Sequence, residues 1–87
     1  PRAGLRLDAQ TVEPGEALLA FGNDLPFHES HCLNLSPACN LTEAAVNLFS
    51  FLHELDSRAD RIAVMPIPEE GLGTAINDRL KRAAASK

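Results

Sequence analysis

One stretch governs what this chain can become. From Leu41 to Asp56, apolar side chains recur at Leu41, Ala44, Ala45, Leu48, Phe49, Leu52 and Leu55, while Glu43, Ser50 and Glu54 lie opposite. That i, i+3, i+4, i+7 spacing belongs to an amphipathic helix. Asn40 stands at the N-cap position, and Glu43 occupies the place of a capping-box acid. Short runs flank this helix. Ala17-Leu18-Leu19-Ala20-Phe21 is closed by Gly22-Asn23-Asp24, His31 to Leu35 by Ser36-Pro37, and Ile62-Ala63-Val64-Met65 by Pro66. The first and last are continuous apolar runs, as in strands buried on both faces, and the middle one places Leu33 and Leu35 on one face. A strand-helix-strand crossover of about 25 residues is long enough for a parallel connection, which is right-handed.

The rest of the chain completes the pattern. Leu5 and Leu7 alternate with Arg6 and Asp8, predicting a strand near a sheet edge, and Pro14-Gly15 marks a turn. Leu72, Ile76, Leu80 and Ala83 predict a final amphipathic helix whose last turns carry Arg79, Lys81 and Arg82, favourable at a helix C-terminus. The expected fold is α/β: a small, mostly parallel four-stranded sheet packed with two main helices, Rossmann-like. With 87 residues, 45% of them hydrophobic, the chain is expected to be a single domain over 1–87.

Charge and cysteine content exclude several functions. Twelve acidic against eight basic side chains leave a formal charge of -4, the wrong sign for a nucleic-acid footprint, so no direct nucleic-acid partner is expected. No apolar run approaches a membrane span, and Pro1-Arg2-Ala3-Gly4 lacks the core of a signal peptide. The expectation is a soluble, cytoplasmic protein in which Cys32 and Cys39 are reduced thiols. A start on proline and an end in Ala83-Ala84-Ala85-Ser86-Lys87 suggest a domain cut from a longer protein.

Few side chains suggest chemistry. Gly71-Leu72-Gly73-Thr74 opens the last helix, where N–H groups could hold a phosphate. Ile76, however, is bulky where a dinucleotide motif needs a small residue, and Glu69 and Glu70 repel an anion. The glycines read better as a tight turn with close packing. His28, His31, Cys32 and Cys39 lack the paired spacing of a zinc site, so no metal ligand is assigned. Cys39 precedes the Asn40 cap, where a helix end could acidify it, yet nothing places a base beside it. His53 falls at the border of the polar helix face. Asn77, Asp78 and Arg79 crowd one turn and could meet loops or another domain.

Two strings carry a family likeness. Gly71-Leu72-Gly73, Ala75-Ile76, Asn77-Asp78-Arg79-Leu80 and Arg82-Ala83-Ala84, together with Asn34-Leu35-Ser36-Pro37 before Glu43-Ala44-Ala45-Val46-Asn47-Leu48-Phe49, resemble the C-terminal domain of the two-domain threonylcarbamoyl-AMP synthases. The resemblance covers essentially the whole chain. It implies an accessory, non-catalytic domain whose partner is the N-terminal catalytic domain of the same polypeptide. That domain joins ATP, threonine and bicarbonate into threonylcarbamoyl-AMP for tRNA modification. ATP, with magnesium, is implied as cofactor for the parent enzyme, and none for this domain. Residues 1–4 are expected to end an interdomain linker, and Pro1 resembles its final proline. No catalytic residue carries over; Ser36, Gly71, Gly73, Asn77 and Arg79 are the ligand or interface candidates. The alternative is a small-ligand or nucleotide-binding module using the Gly71 to Thr74 helix entrance.

The chain departs from the family pattern in three places. Gly4 stands where a proline commonly precedes the first strand, and Cys39-Asn40 replaces a more usual Gly-Asp. Only Gln10 to Glu16 separates the first two strands, where many relatives have a helix. One sheet face is therefore expected to lack a helix and to leave apolar surface for another domain.

Overall fold

The computed structural model describes residues 2–85, so the reading of Pro1 as a linker proline lies outside the described residues. The periodic stretch folds as α1, Leu41–Asp56. The apolar runs become strands: β1 (Gly4–Arg6), β2 (Ala17–Ala20), β3 (Cys32–Asn34) and β4 (Arg61–Val64), followed by α2 (Leu72–Ala85). All four strands are parallel, in the order β1-β4-β2-β3, with β1 at one edge.

This order divides the connections between two faces. From β1 to β3 the chain steps across the sheet one way, and from β3 to β4 it steps back. Connections of one hand must then lie on opposite faces. Strand register shows the division. Leu5, Ile62 and Ala17 stand in line, as do Leu33, Leu19 and Val64. These residues form one core cluster with Ala44, Leu48, Leu52 and Leu55 of α1 and with Ile76 and Leu80 of α2.

The alternate residues Leu18, Ala20 and Ala63 point to the other face, where they cluster with Ala9, Val12 and Leu25 from the two loops. The expectation of a bare apolar sheet face is thus corrected. Leu18, Ala20 and Ala63 are fully buried, because loops 7–16 and 21–31 cover them in place of a helix. Helices occupy only one face, so the likeness to a doubly wound Rossmann sheet is loose.

Loop 7–16 is held by an ion pair. Arg6, which is in register with Ala63 and so faces this loop, donates Nε–H to Glu16 Oε2 (2.9 Å) and Nη2–H to Glu16 Oε1 (2.8 Å) and to the Thr11 carbonyl (2.8 Å). The Glu13 N–H donates to the same carboxylate at 2.9 Å. Glu16 is only 3% exposed, and the Arg6 guanidinium holds its carboxyl below the usual carboxylate range. A buried carboxylate is tolerable when donors surround it in this way.

Candidate functional site

The five candidate residues do not converge on one pocket. Ser36 lies fully buried beneath the start of α1. Its hydroxyl donates to Glu43 Oε1 at 2.6 Å and accepts the Asn40 N–H at 2.8 Å. Asn40 caps the helix as expected, accepting the Glu43 N–H at 3.0 Å, but the capping box is relayed. Glu43 reaches the Asn40 N–H only through Ser36 Oγ. The Ser36 carbonyl also accepts the Gly22 N–H at 2.9 Å, so this serine ties the end of β2 to the start of α1. Cys39 takes a left-handed φ of 60°, a conformation that glycine adopts without strain.

The helix entrance at Gly71 is built for packing. Gly71 turns the chain with φ 55°. The Gly73 and Thr74 N–H groups donate to the carbonyls of Glu70 (2.9 Å) and Gly71 (3.1 Å), which takes two donors away from any anion. A β-carbon at Gly73 would collide with the Pro68 carbonyl and touch Leu41 Cδ1 at 3.6 Å, so α2 crosses the beginning of α1 at close range. Asn77 donates to the Ile67 carbonyl (2.9 Å) and to Glu69 Oε2 (3.0 Å), binding α2 to the connection that precedes it. Residues two apart on a helix do not share a face. Arg79 points the other way, with its guanidinium carbon 5.4 Å from the centre of the Phe49 ring.

Arg79 leads to the part of the surface that departs most from a solvated one. Val46 is 74% exposed, Phe49 73% and Leu72 45%. Phe49 belongs to the apolar stripe of α1 and was expected against the sheet; it lies outside, because Ala44, Leu48 and Leu52 already fill the helix–sheet seam. Ala45, Phe49, Leu72 and Arg79 border a groove of about 220 Å3 between the two helices. A second hollow of about 150 Å3 continues past Phe49 to His53 and Asp56. There the chain enters the domain: the Ala3 N–H donates to Asp56 Oδ1 at 2.6 Å and Arg2 to the Asp56 carbonyl at 3.3 Å. The Ala3 N–H lowers the Asp56 carboxyl below its usual range.

Cys32 is half-buried in β3, where burial raises its thiol, and Cys39 is exposed. Among the described residues no three His, Cys, Asp or Glu side chains gather as metal ligands would, and no helix is long and apolar enough to cross a membrane.

Comparison with known proteins agrees with the chain's own pattern. The family model for the C-terminal domain of threonylcarbamoyl-AMP synthase matches residues 4–85. No curated protein and no solved structure matches the chain.

Proposed function

Because the chain belongs to the family of threonylcarbamoyl-AMP synthase C-terminal domains, we propose that it is the accessory domain of such a synthase. In this reading it docks on the catalytic domain of the same polypeptide through the outer surface of α1 and α2. The observation that carries this reading is the apolar patch of Val46, Phe49 and Leu72 on a layer whose other side is fully used against the sheet. A contiguous exposed apolar patch marks an interaction surface more often than a solvated one. Arg79 lies over the Phe49 ring and limits its freedom in advance, lowering the ordering cost of docking. The chain enters beside Asp56, so a domain joined ahead of Arg2 begins next to Phe49 and His53.

The synthase joins threonine, bicarbonate and ATP into threonylcarbamoyl-AMP with release of pyrophosphate, for tRNA modification in the cytoplasm. The catalytic domain holds ATP and magnesium, and this domain supplies no reacting group. The formal charge of -4 disfavours contact between this domain and tRNA. A nucleotide site at Gly71 to Thr74 has less support, since two of its N–H groups are already bonded and Glu69 and Glu70 stand beside it.

The test uses the full-length synthase carrying Phe49→Ser. Pyrophosphate release dependent on threonine and bicarbonate is expected to fall by about tenfold or more, the effect of losing an interface anchor. The melting temperature of the isolated domain should stay unchanged. Full activity in that variant would remove the docking role from this surface.

A further inference from the structure

The carboxyl ends of all four parallel strands lie at one end of the sheet, and there β4 lies between connections that leave for opposite faces. After β1 and β2 the chain turns to the loop-covered face; after β4 it turns to the helical one. Open α/β sheets bind ligands in the crevice at such a switch point, outside the carboxyl ends of the strands. In this chain the crevice is a cavity of about 350 Å3, walled by Leu25, Pro26, Met65 and Pro66, with Gln10 and Asp24 on its lining. Small-molecule sites span roughly 300–1,000 Å3. Met65 also borders a second hollow of about 190 Å3 that carries Asp8, Glu69 and Lys81. Neither hollow shares a lining residue with the groove between the helices.

The rim is shaped and chemically one-sided. Asp8 is held in the left-handed region, φ 54°, while its neighbour Ala9 donates to the Val64 carbonyl at 2.8 Å and so fixes the rim to the end of β4. The Gln10 amide and the Asp8 and Asp24 carboxylates bond to no other described residue. Carboxylates accept hydrogen bonds and give none, while the amide does both.

We infer that this crevice binds a nucleoside without phosphate, of the adenosine type. Leu25, Pro26, Met65 and Pro66 offer apolar walls to a flat base. A primary amide such as that of Gln10 matches the adjacent acceptor and amino donor of an adenine edge. Carboxylates accept from ribose hydroxyls, as acidic residues do in dinucleotide folds. Asp8, Asp24 and Glu69 outnumber Lys81 and disfavour a phosphate.

The experiment is a titration of the 15N-labelled chain with adenosine and, separately, with AMP, read by amide chemical shifts. Saturable changes confined to the amides of residues 8–10, 24–25 and 65 are expected with adenosine, Pro26 and Pro66 having no N–H. Gln10→Leu should weaken adenosine by about tenfold, the worth of one lost polar contact. AMP should bind more weakly than adenosine, and Asp24→Asn should narrow that gap. Both side chains are exposed, so neither variant disturbs the fold. No shift at millimolar adenosine, changes centred on Gly71 to Thr74 or on Phe49, or AMP binding as tightly as adenosine would each overturn the assignment.

Discussion

Gly73 and Pro68 approach so closely that a β-carbon on the glycine would overlap the Pro68 carbonyl oxygen. No side-chain rotation relieves a clash with backbone, so α2 would have to lift away from Leu41 and the connection after β4. Gly73→Ala is therefore expected to destabilise the domain by about 2–3 kcal/mol, although alanine is the better helix former by about 1 kcal/mol. Urea denaturation measures this. Gly71→Ala is the contrast: space is open there, but φ is 55°, so about 1–2 kcal/mol of backbone strain is the whole cost.

The Arg6–Glu16 pair makes stability depend on pH in one direction. Glu16 titrates below its ordinary value of 4.5, chiefly through its hydrogen bonds from Arg6. A depressed folded value means that the pair's contribution is complete above the unfolded carboxylate value and is lost as pH falls through the folded one. Glu16→Gln should cost about 1–3 kcal/mol at neutral pH, leaving Arg6 without its counter-ion. The gap between variant and parent should close as pH drops below 4.5, as followed by melting temperature across an acid series.

Ser36→Ala removes one buried hydroxyl that serves two partners. Both the Asn40 N–H and the Glu43 carboxylate lose a bond, and a loss of about 1–3 kcal/mol is expected. Hydrogen exchange should rise first in the opening turn of α1, while α2 keeps its protection. Equal loosening of both helices would refute a local role for the relay.

Asn77 and Arg79 should separate when each is replaced by alanine. Asn77 ties α2 to the Ile67 carbonyl, so the isolated domain should melt earlier, by an amount equivalent to about 1 kcal/mol. Arg79 is exposed and lies over the exposed Phe49 ring, so its loss should leave the melting temperature within error. Differential scanning calorimetry of the two variants distinguishes them.

These contrasts show where local pattern carries information and where it stops. The bounds of α1 were readable to the residue because the Asn40 cap and the 3.6-residue period agree. A parallel sheet followed from the crossover that α1 spans, but its order did not, since nothing local says that β4 comes between β1 and β2. Phe49 misleads for a related reason: periodicity identifies an apolar side chain beside the stripe, not whether the seam still has room for it. The Arg6–Glu16 pair has no signature, being ten positions apart around an irregular bend. Gly73 was legible as a packing glycine, and the Pro68 carbonyl supplies the reason.

The place of β4 also sets the order in which the molecule can assemble. Among the described strands β1 pairs with β4 alone, through Gly4 with Arg61, Leu5 with Ile62 and Arg6 with Ala63. A ribosome that has released only the first three strands and α1 has therefore made a sheet with its middle missing. Until residues 61–64 emerge, β1 has no neighbour, and β2 can hold only β3. Such distant pairings slow folding, because loop closure comes before any contact rewards it. Assembly is accordingly expected to wait for the last third of the chain, with β4 inserting as the keystone between two halves that do not otherwise touch along their strands.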